Sequence, residues 1–337
     1  MSYEQLKVEN LARCNCVVFL LGAGASKDYG FPLWNDLRIF FEENLEKIIK
    51  KQSDIFPEIT LTDEELENLS KWIGLIHNTD WAISTIDNII YRNGAIKDPI
   101  LKLLSYKISL CEREDVQSGN DDKWISILAE KIADYLISRR LGNKTDDANI
   151  AADFFSKIKI ITLNYDRCFE YHFSLSLRHY LERGLDLNNS DWAKYYRNIC
   201  WDVIHPHGAI ANHVEPDKNC FQMKSNYGTY KNPNSNMFRS YGQINEVSIE
   251  IAEVDDLKDG HDKNAYRLTN SYISGADMII SLGVSPAGVN NSHISFPDGA
   301  NYYFSNHEKD RDKIEERIKS KDQTYLNKRC GDFIQLL

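Results

Sequence analysis

Cys16-Val17-Val18-Phe19-Leu20-Leu21-Gly22-Ala23-Gly24-Ala25-Ser26 decides the fold class. Its first six residues are apolar without a break, the pattern of a strand covered on both faces, and they run straight into a turn of small residues. Ile158-Lys159-Ile160-Ile161-Thr162-Leu163 repeats the plan and ends at Asn164-Tyr165-Asp166. Met278-Ile279-Ile280-Ser281-Leu282 leads into Gly283-Val284-Ser285-Pro286, and Asn301-Tyr302-Tyr303-Phe304 ends at Ser305-Asn306. A shorter strand, Val203-Ile204, runs into His205-Pro206-His207-Gly208. Helical spacing follows the first of these strands, from Trp34 to Lys50, and the Asn301 strand, from Glu308 to Lys321. Strands alternating with helices predict an α/β fold with a doubly wound parallel sheet.

Working outward, the stretch from Asp36 to Ser156 reads as a helical insertion within one domain spanning residues 1–337, because sheet strands flank it on both sides. Apolar residues recur at helical spacing over Glu64–Ile76, Ile83–Tyr91, Pro99–Arg113 and Trp124–Arg140. Polar stretches at Gln117–Asp122 and Gly142–Asp147 read as loops. Residues Asn212–Asp262, rich in Asn, Gly, Ser and Pro, read as an irregular insertion near the site.

Lys plus Arg number 40 against 50 Asp plus Glu, a formal charge of −10, so no direct nucleic-acid partner is expected: neutralising a phosphate backbone needs a basic surface. No apolar run approaches the roughly 20 residues that span a bilayer. Met1-Ser2-Tyr3-Glu4 lacks the basic, then apolar, start of a secretory signal, and the seven cysteines form no disulfide framework. A cytoplasmic protein without a membrane partner is expected.

The strand ends carry the chemistry. Small residues at Gly22-Ala23-Gly24-Ala25-Ser26 let backbone N–H groups approach a pyrophosphate beside a helix N-terminus. The G-x-G-x-x-G spacing fails, since Lys27 stands where the third glycine belongs, and a tight strand–helix connection would use the same residues. Downstream, Pro32 can stiffen the loop and Trp34 can serve as an aromatic pocket wall or as a core anchor. Asn164 can orient a water or a ribose hydroxyl, and Asp166 can accept from a ligand or brace Asn164. An Asx turn or a cap for a helix beginning near Arg167 accounts equally for both. Of the two histidines, His207, directly before Gly208, is the better general-base candidate, whereas His205 reads as a support for the loop. Gly283, Ser285 and Asn306 offer close approach and hydrogen bonds to an adenosine, each also an ordinary turn residue.

In this order the pieces resemble the sirtuin-like (SIR2) NAD-binding family: Gly22-Ala23-Gly24-Ala25-Ser26, Gly30-x-Pro32, Thr162-Leu163-Asn164-Tyr165-Asp166, His207-Gly208 and Gly283-x-Ser285. The motifs extend from about residue 16 to 306, across large insertions. The style is that of the bacterial antiviral-defence members. Leu-Asn-Tyr-Asp stands in place of Gln-Asn-Ile-Asp, and Leu33-Trp34-Asn35 stands where deacylases carry Asp-Phe-Arg. Deacylases also hold zinc between two Cys-x-x-Cys pairs; this chain has none, so neither a zinc module nor another metal is expected.

The resemblance implies a Rossmann-like sheet and an NAD+ hydrolase (NADase) releasing nicotinamide and ADP-ribose, with NAD as substrate. It implies Asn164, His207 and Asp166 as catalytic residues. Gly22, Ala23, Gly24, Ser26, Pro32, Trp34, Thr162, Gly283, Ser285 and Asn306 would bind the dinucleotide. Depletion of cellular NAD is toxic, so the resemblance implies a silent effector of antiphage defence, triggered by homo-oligomerisation or by a separate sensor or ATPase. The sequence continues only briefly past the last matching element, so a sensor within the same chain is not expected. Two alternatives stay open: a non-catalytic module that senses NAD or ADP-ribose, and an NAD-dependent deacylase or ADP-ribosyltransferase.

Overall fold

The computed structural model describes residues 7–49, 61–78, 100, 103–104, 107–108, 110–112, 115, 123–140, 144–185, 202–206, 263–284, 296–297, 299–305, 323–326 and 329–337. In chain order come α1 (Val8–Arg13), β1 (Val17–Leu21), a single turn α2 (Ala23–Ser26) continuing as a 3-10 turn (Lys27–Tyr29), α3 (Trp34–Ile49) and α4 (Asp63–Asn78). Residues 100, 103–104, 107–108, 110–112 and 115 are helical. Next are α5 (Trp124–Ser138), α6 (Lys144–Ser156), β2 (Ile158–Thr162), α7 (Cys168–Leu185) and β3 (Asp202–Ile204). The last elements are α8 (Lys263–Ser274), β4 (Met278–Leu282), β5 (Asn301–Ser305), β6 (Gln323–Leu326) and α9 (Cys330–Ile334).

The strands make one sheet in the order β3-β2-β1-β4-β5-β6, every pair parallel, so the class is α/β. Val17 lies level with Ile158 and Met278, and Leu21 with Thr162 and Leu282. Three neighbouring strands therefore end flush, and the segments that follow them emerge side by side at one edge.

The apolar runs behave as their patterning dictates. Val17, Phe19, Leu21, Ile158, Ile160, Met278, Ile280 and Tyr303 pack on one face with α5, α7 and Ile100, Leu103, Leu104 and Ile108. Val18, Leu20, Ile161, Ile279, Tyr302 and Phe304 pack on the other with Ile273 of α8. Burying each such side chain contributes about 1.5–3 kcal/mol. On α7, Phe169, Phe173, Leu177 and Leu181 recur every fourth residue and form a buried stripe. This stripe meets α5, where Trp124 lies 6.0 Å from Phe169 between ring centres and Ser126 Oγ is 2.9 Å from Ser176 Oγ. Two helix starts are set by local chemistry. Thr62 and Glu65 exchange side-chain-to-backbone hydrogen bonds at the start of α4, and Leu33 N–H donates to Asp36 Oδ2 at the start of α3.

One expected loop is corrected: α6 begins at Lys144, inside Gly142–Asp147. Asp147 falls near its start, where an acidic residue suits the helix dipole, and Ala148, Ala151, Phe154 and Phe155 bury its inner face. The expected helices Ile83–Tyr91 and Glu308–Lys321, and the irregular segment Asn212–Asp262, lie outside the described residues. Among the described residues no helix is long and apolar enough to cross a membrane.

The β1 and β4 turns touch backbone to backbone. Gly283 has φ 62°, and a Cβ there would stand 2.3 Å from Ala25 N and 2.4 Å from Gly24 C. Gly283→Ala is therefore expected to cost at least about 3 kcal/mol in urea unfolding, through strain that the neighbouring backbone cannot relieve. Gly30→Ala, at φ 84° but with nothing within 4 Å of the added carbon, should cost only about 1–2 kcal/mol. Equal costs would show that the turn contact is not rigid.

Candidate functional site

Because the strands are parallel, five strand ends meet along one edge: Gly22 after β1, Asn164 and Asp166 after β2, His205 after β3, Gly283 after β4, and Ser305 closing β5. Ligands of open α/β sheets sit outside such carboxyl ends.

The glycine turn is tied down first. Gly22 N–H donates to Leu282 O at 3.0 Å and Gly24 N–H to Gly283 O at 3.1 Å. Two amides that the sequence offered to a pyrophosphate are thus engaged within the fold, and the exposed residue of the turn is Ala23. The helix behind it, α2, is only one turn long, so little dipole stands there. From α5, Trp124 Nε1 donates to Ala25 O at 2.7 Å, and Ile125 N–H donates to Tyr29 Oη at 3.1 Å, which seats the turn on that helix.

Asn164 lies against this turn, 7% exposed. Its Nδ2 donates to Gly22 O and to Ser26 Oγ, both at 3.0 Å. A carbonyl oxygen can only accept, so the amide atom facing Gly22 must be nitrogen. Both amide protons are then in use, and Oδ1 is left as an acceptor with no partner among the described residues. Ser26 Oγ in turn donates to Asp166 Oδ1 at 2.9 Å, which also receives Cys168 N–H at 3.1 Å. Asp166 thus forms an Asx turn at the start of α7, one of the two structural readings its position allowed, and closes a chain running from Asn164 through Ser26.

Burial pushes the Asp166 carboxyl up to about 7. The bonds from Cys168 N–H and Ser26 pull it down, the Glu170 charge raises it further, and His205 opposes that. Near neutrality it stands between its two charge states.

His205 supports the Asn164 loop directly. Its Nδ1 lies 2.9 Å from Asn164 O and its Nε2 2.5 Å from Glu170 Oε1. Burial alone would lower this histidine, but the Glu170 charge and hydrogen bond, the Asn164 carbonyl and Asp166 carry it above the ordinary range. Glu170 and Trp124 were not singled out from sequence. Glu170's one available signal is its place four residues after Asp166, in the first turn of α7. Arg167 was known only as a helix start. It makes a two-pronged buried pair with Glu112, Nη2 to Oε2 at 2.7 Å and Nε to Oε1 at 3.2 Å.

Of the remaining predicted residues, Thr162 is buried and its Oγ1 accepts the Asn164 N–H at 3.3 Å. Pro32 is half-buried in the loop before α3. Trp34 is the first residue of α3, and its side chain, like all of His207, Gly208, Ser285 and Asn306, lies outside what is described.

Among the described residues, one group, Asp115, Cys168 and His172, has potential metal ligands within 4.8 Å of one another, all buried. His172 Nε2 is bonded to Asp115 Oδ2, and Lys123 Nζ, which also rests 4.6 Å from the Tyr29 ring centre, lies 3.9 Å from Asp115 Oδ1. Burial and nearby carboxylates keep Cys168 as the thiol. A cation there would meet a resident ammonium and an undissociated thiol, a poor fit for zinc.

Comparison of the chain with family models found no match, and comparison with curated proteins found none either.

A native carboxyl near 7 against an ordinary value of 3.8 means that the folded state holds an extra proton between those limits, so this group's stabilisation is lost as pH rises through them. Asp166→Asn keeps an oxygen for Ser26 and Cys168. Its unfolding free energy, measured against the native chain from pH 4 to 8, should gain up to about 4 kcal/mol relative to it across that window. Parallel curves would show that Asp166 ionises at its ordinary pKa.

Proposed function

We propose that this site binds NAD and hydrolyses the bond between nicotinamide and ribose, giving nicotinamide and ADP-ribose. The observation that carries the reading is the Asn164 amide, held by Gly22 O and Ser26 Oγ so that its acceptor, Oδ1, is left without a partner among the described residues at the strand edge. The strand order supports it as well, since 3-2-1-4-5-6 is that of doubly wound, Rossmann-like dinucleotide-binding sheets. So do the small residues at Gly22–Ser26, placed next to Asn164 and Asp166.

In this reading the exposed Ala23 backbone meets the diphosphate, with Gly22 and Gly24 keeping the approach close. Gly283, Ser285 and Asn306 serve the adenosine half, while Pro32 and Trp34 border the nicotinamide. As the glycosidic bond breaks, its electron pair leaves with the nicotinamide nitrogen, which becomes neutral, and positive charge develops on the ribose. Asn164 Oδ1 accepts from the attacking water or a ribose hydroxyl, the water oxygen bonds to the anomeric carbon, and its proton passes to His207. Asp166 supports the nicotinamide side. The helical stretch from Asp36 to Ser156 is the contact surface for a second copy or for a separate sensor or ATPase, which keeps NAD loss confined to infection in a bacterial cytoplasm.

The test incubates the purified chain with NAD over a range of protein concentrations, following nicotinamide and ADP-ribose, with calorimetry for binding. Asn164→Ala and His207→Ala should each lower turnover about 100-fold or more. Asn164→Ala should unfold only about 1–3 kcal/mol more easily, the cost of leaving Gly22 O and Ser26 Oγ short of a donor. Neither binding nor nicotinamide release at any concentration would overturn the reading.

A further inference from the structure

We propose that Glu170 is a positioning residue of this site: acting through the His205 imidazole, it fixes the Asn164 backbone and with it the direction in which Oδ1 faces. The inference rests on the reading of the site as one that cleaves NAD.

Three observations carry it. First, Glu170 is the third residue of α7, a position from which a glutamate commonly caps its own helix. Here Asp166 takes the Cys168 N–H, and Glu170 Oε1 instead crosses to His205 Nε2 on the loop after β3. Second, the partners of the imidazole fix its protons. Asn164 O is a carbonyl, so Nδ1 must carry hydrogen, and a carboxylate opposite Nε2 asks for a second. The doubly protonated ring is then held between α7 and the Asn164 backbone, so moving Glu170 moves Asn164. Third, Glu170 Oε2 is buried with no hydrogen-bond partner among the described residues. Leaving such an atom without a donor is a standing cost, which a pair serving stability alone has no reason to bear. The charged groups that face His205 among the described residues are Glu170 on α7 and Asp166 on the loop before it, and both favour the cationic ring.

A merely structural tether would lose stability when cut and would leave the amide geometry and the chemical step alone. The discriminating experiment compares the full chain with its Glu170→Gln and Glu170→Asp variants by three measurements. In steady-state NAD hydrolysis, Glu170→Gln should lower kcat about 10-fold or more with KM moved by less than about 3-fold, and Glu170→Asp should recover part of the loss. In NMR of ring-labelled histidine, His205 should carry both ring protons at neutral pH in the native chain and lose the Nε2 proton in Glu170→Gln. In side-chain amide exchange, the Asn164 protons should be protected in the native chain and exchange about 10-fold faster in Glu170→Gln. An unchanged kcat, or an Asn164 exchange rate that does not respond, overturns the proposal. Should the native chain release no nicotinamide, the NAD reading fails by itself, and the ring and amide measurements still decide the positioning role.

Discussion

The carbonyl of Gly22 can only accept, and that one-sidedness orders the site. It determines which end of the Asn164 amide faces the glycine turn, hence which end is left for anything approaching the strand edge. The orientation holds only if Gly22 itself is fixed. Its own N–H is bonded to Leu282 O, and the backbone of Gly283 packs so closely that a Cβ on Gly22 would stand 2.5 Å from Gly283 O. The glycines thus earn their place twice over: by letting two strand-end turns touch, and by presenting an acceptor to a side chain arriving from a third strand.

Electrostatics then sets a cost that the fold meets locally. Asp166, Glu170 and His205 bring three ionisable groups together in surroundings that penalise charge, and Glu112 with Arg167 brings two more. Each is matched by a partner of opposite charge or by backbone and hydroxyl donors. The buried Arg167–Glu112 pair adds little net stability as a pair, yet removal of one member leaves an uncompensated charge worth about 3–5 kcal/mol. What such pairs supply is geometry. Arg167 follows Asp166 directly in sequence, so its hold on Glu112 also limits how far the Asn164–Asp166 loop can shift.

The sheet was legible in the sequence because its strands are apolar on both faces, which leaves an unbroken run such as Val17–Leu21. β6 was not, because Gln323–Leu326 is short and carries Gln and Thr among its four residues. α8 was not legible either, because Lys263–Ser274 is mostly polar in sequence, and among its described side chains Ile273, with Tyr272 beside it, meets the sheet. Within the site, Asn164, Asp166 and the glycine turn were legible as residues standing directly after strands. Glu170 and Trp124 were not, because their partners are separated from them by 35 and 99 residues and are joined only by the fold.

The helical stretch between β1 and β2 belongs to the same core as the site. Trp124 reaches Ala25 O, Tyr29 Oη receives Ile125 N–H, Glu112 holds Arg167 and Asp115 holds His172, so four separate residue pairs join that stretch to the glycine turn and to the start of α7. A packed interior transmits displacement because it has few voids to absorb it. A rigid shift of α5 against the sheet would therefore have to break the Trp124 bond or carry Ala25 with it, and Ala25 N–H is itself bonded to Gly22 O. The acceptor that orients Asn164 is thus two hydrogen bonds away from a helix outside the strand edge, a physical route by which a displacement of that helix can reach the Asn164 amide.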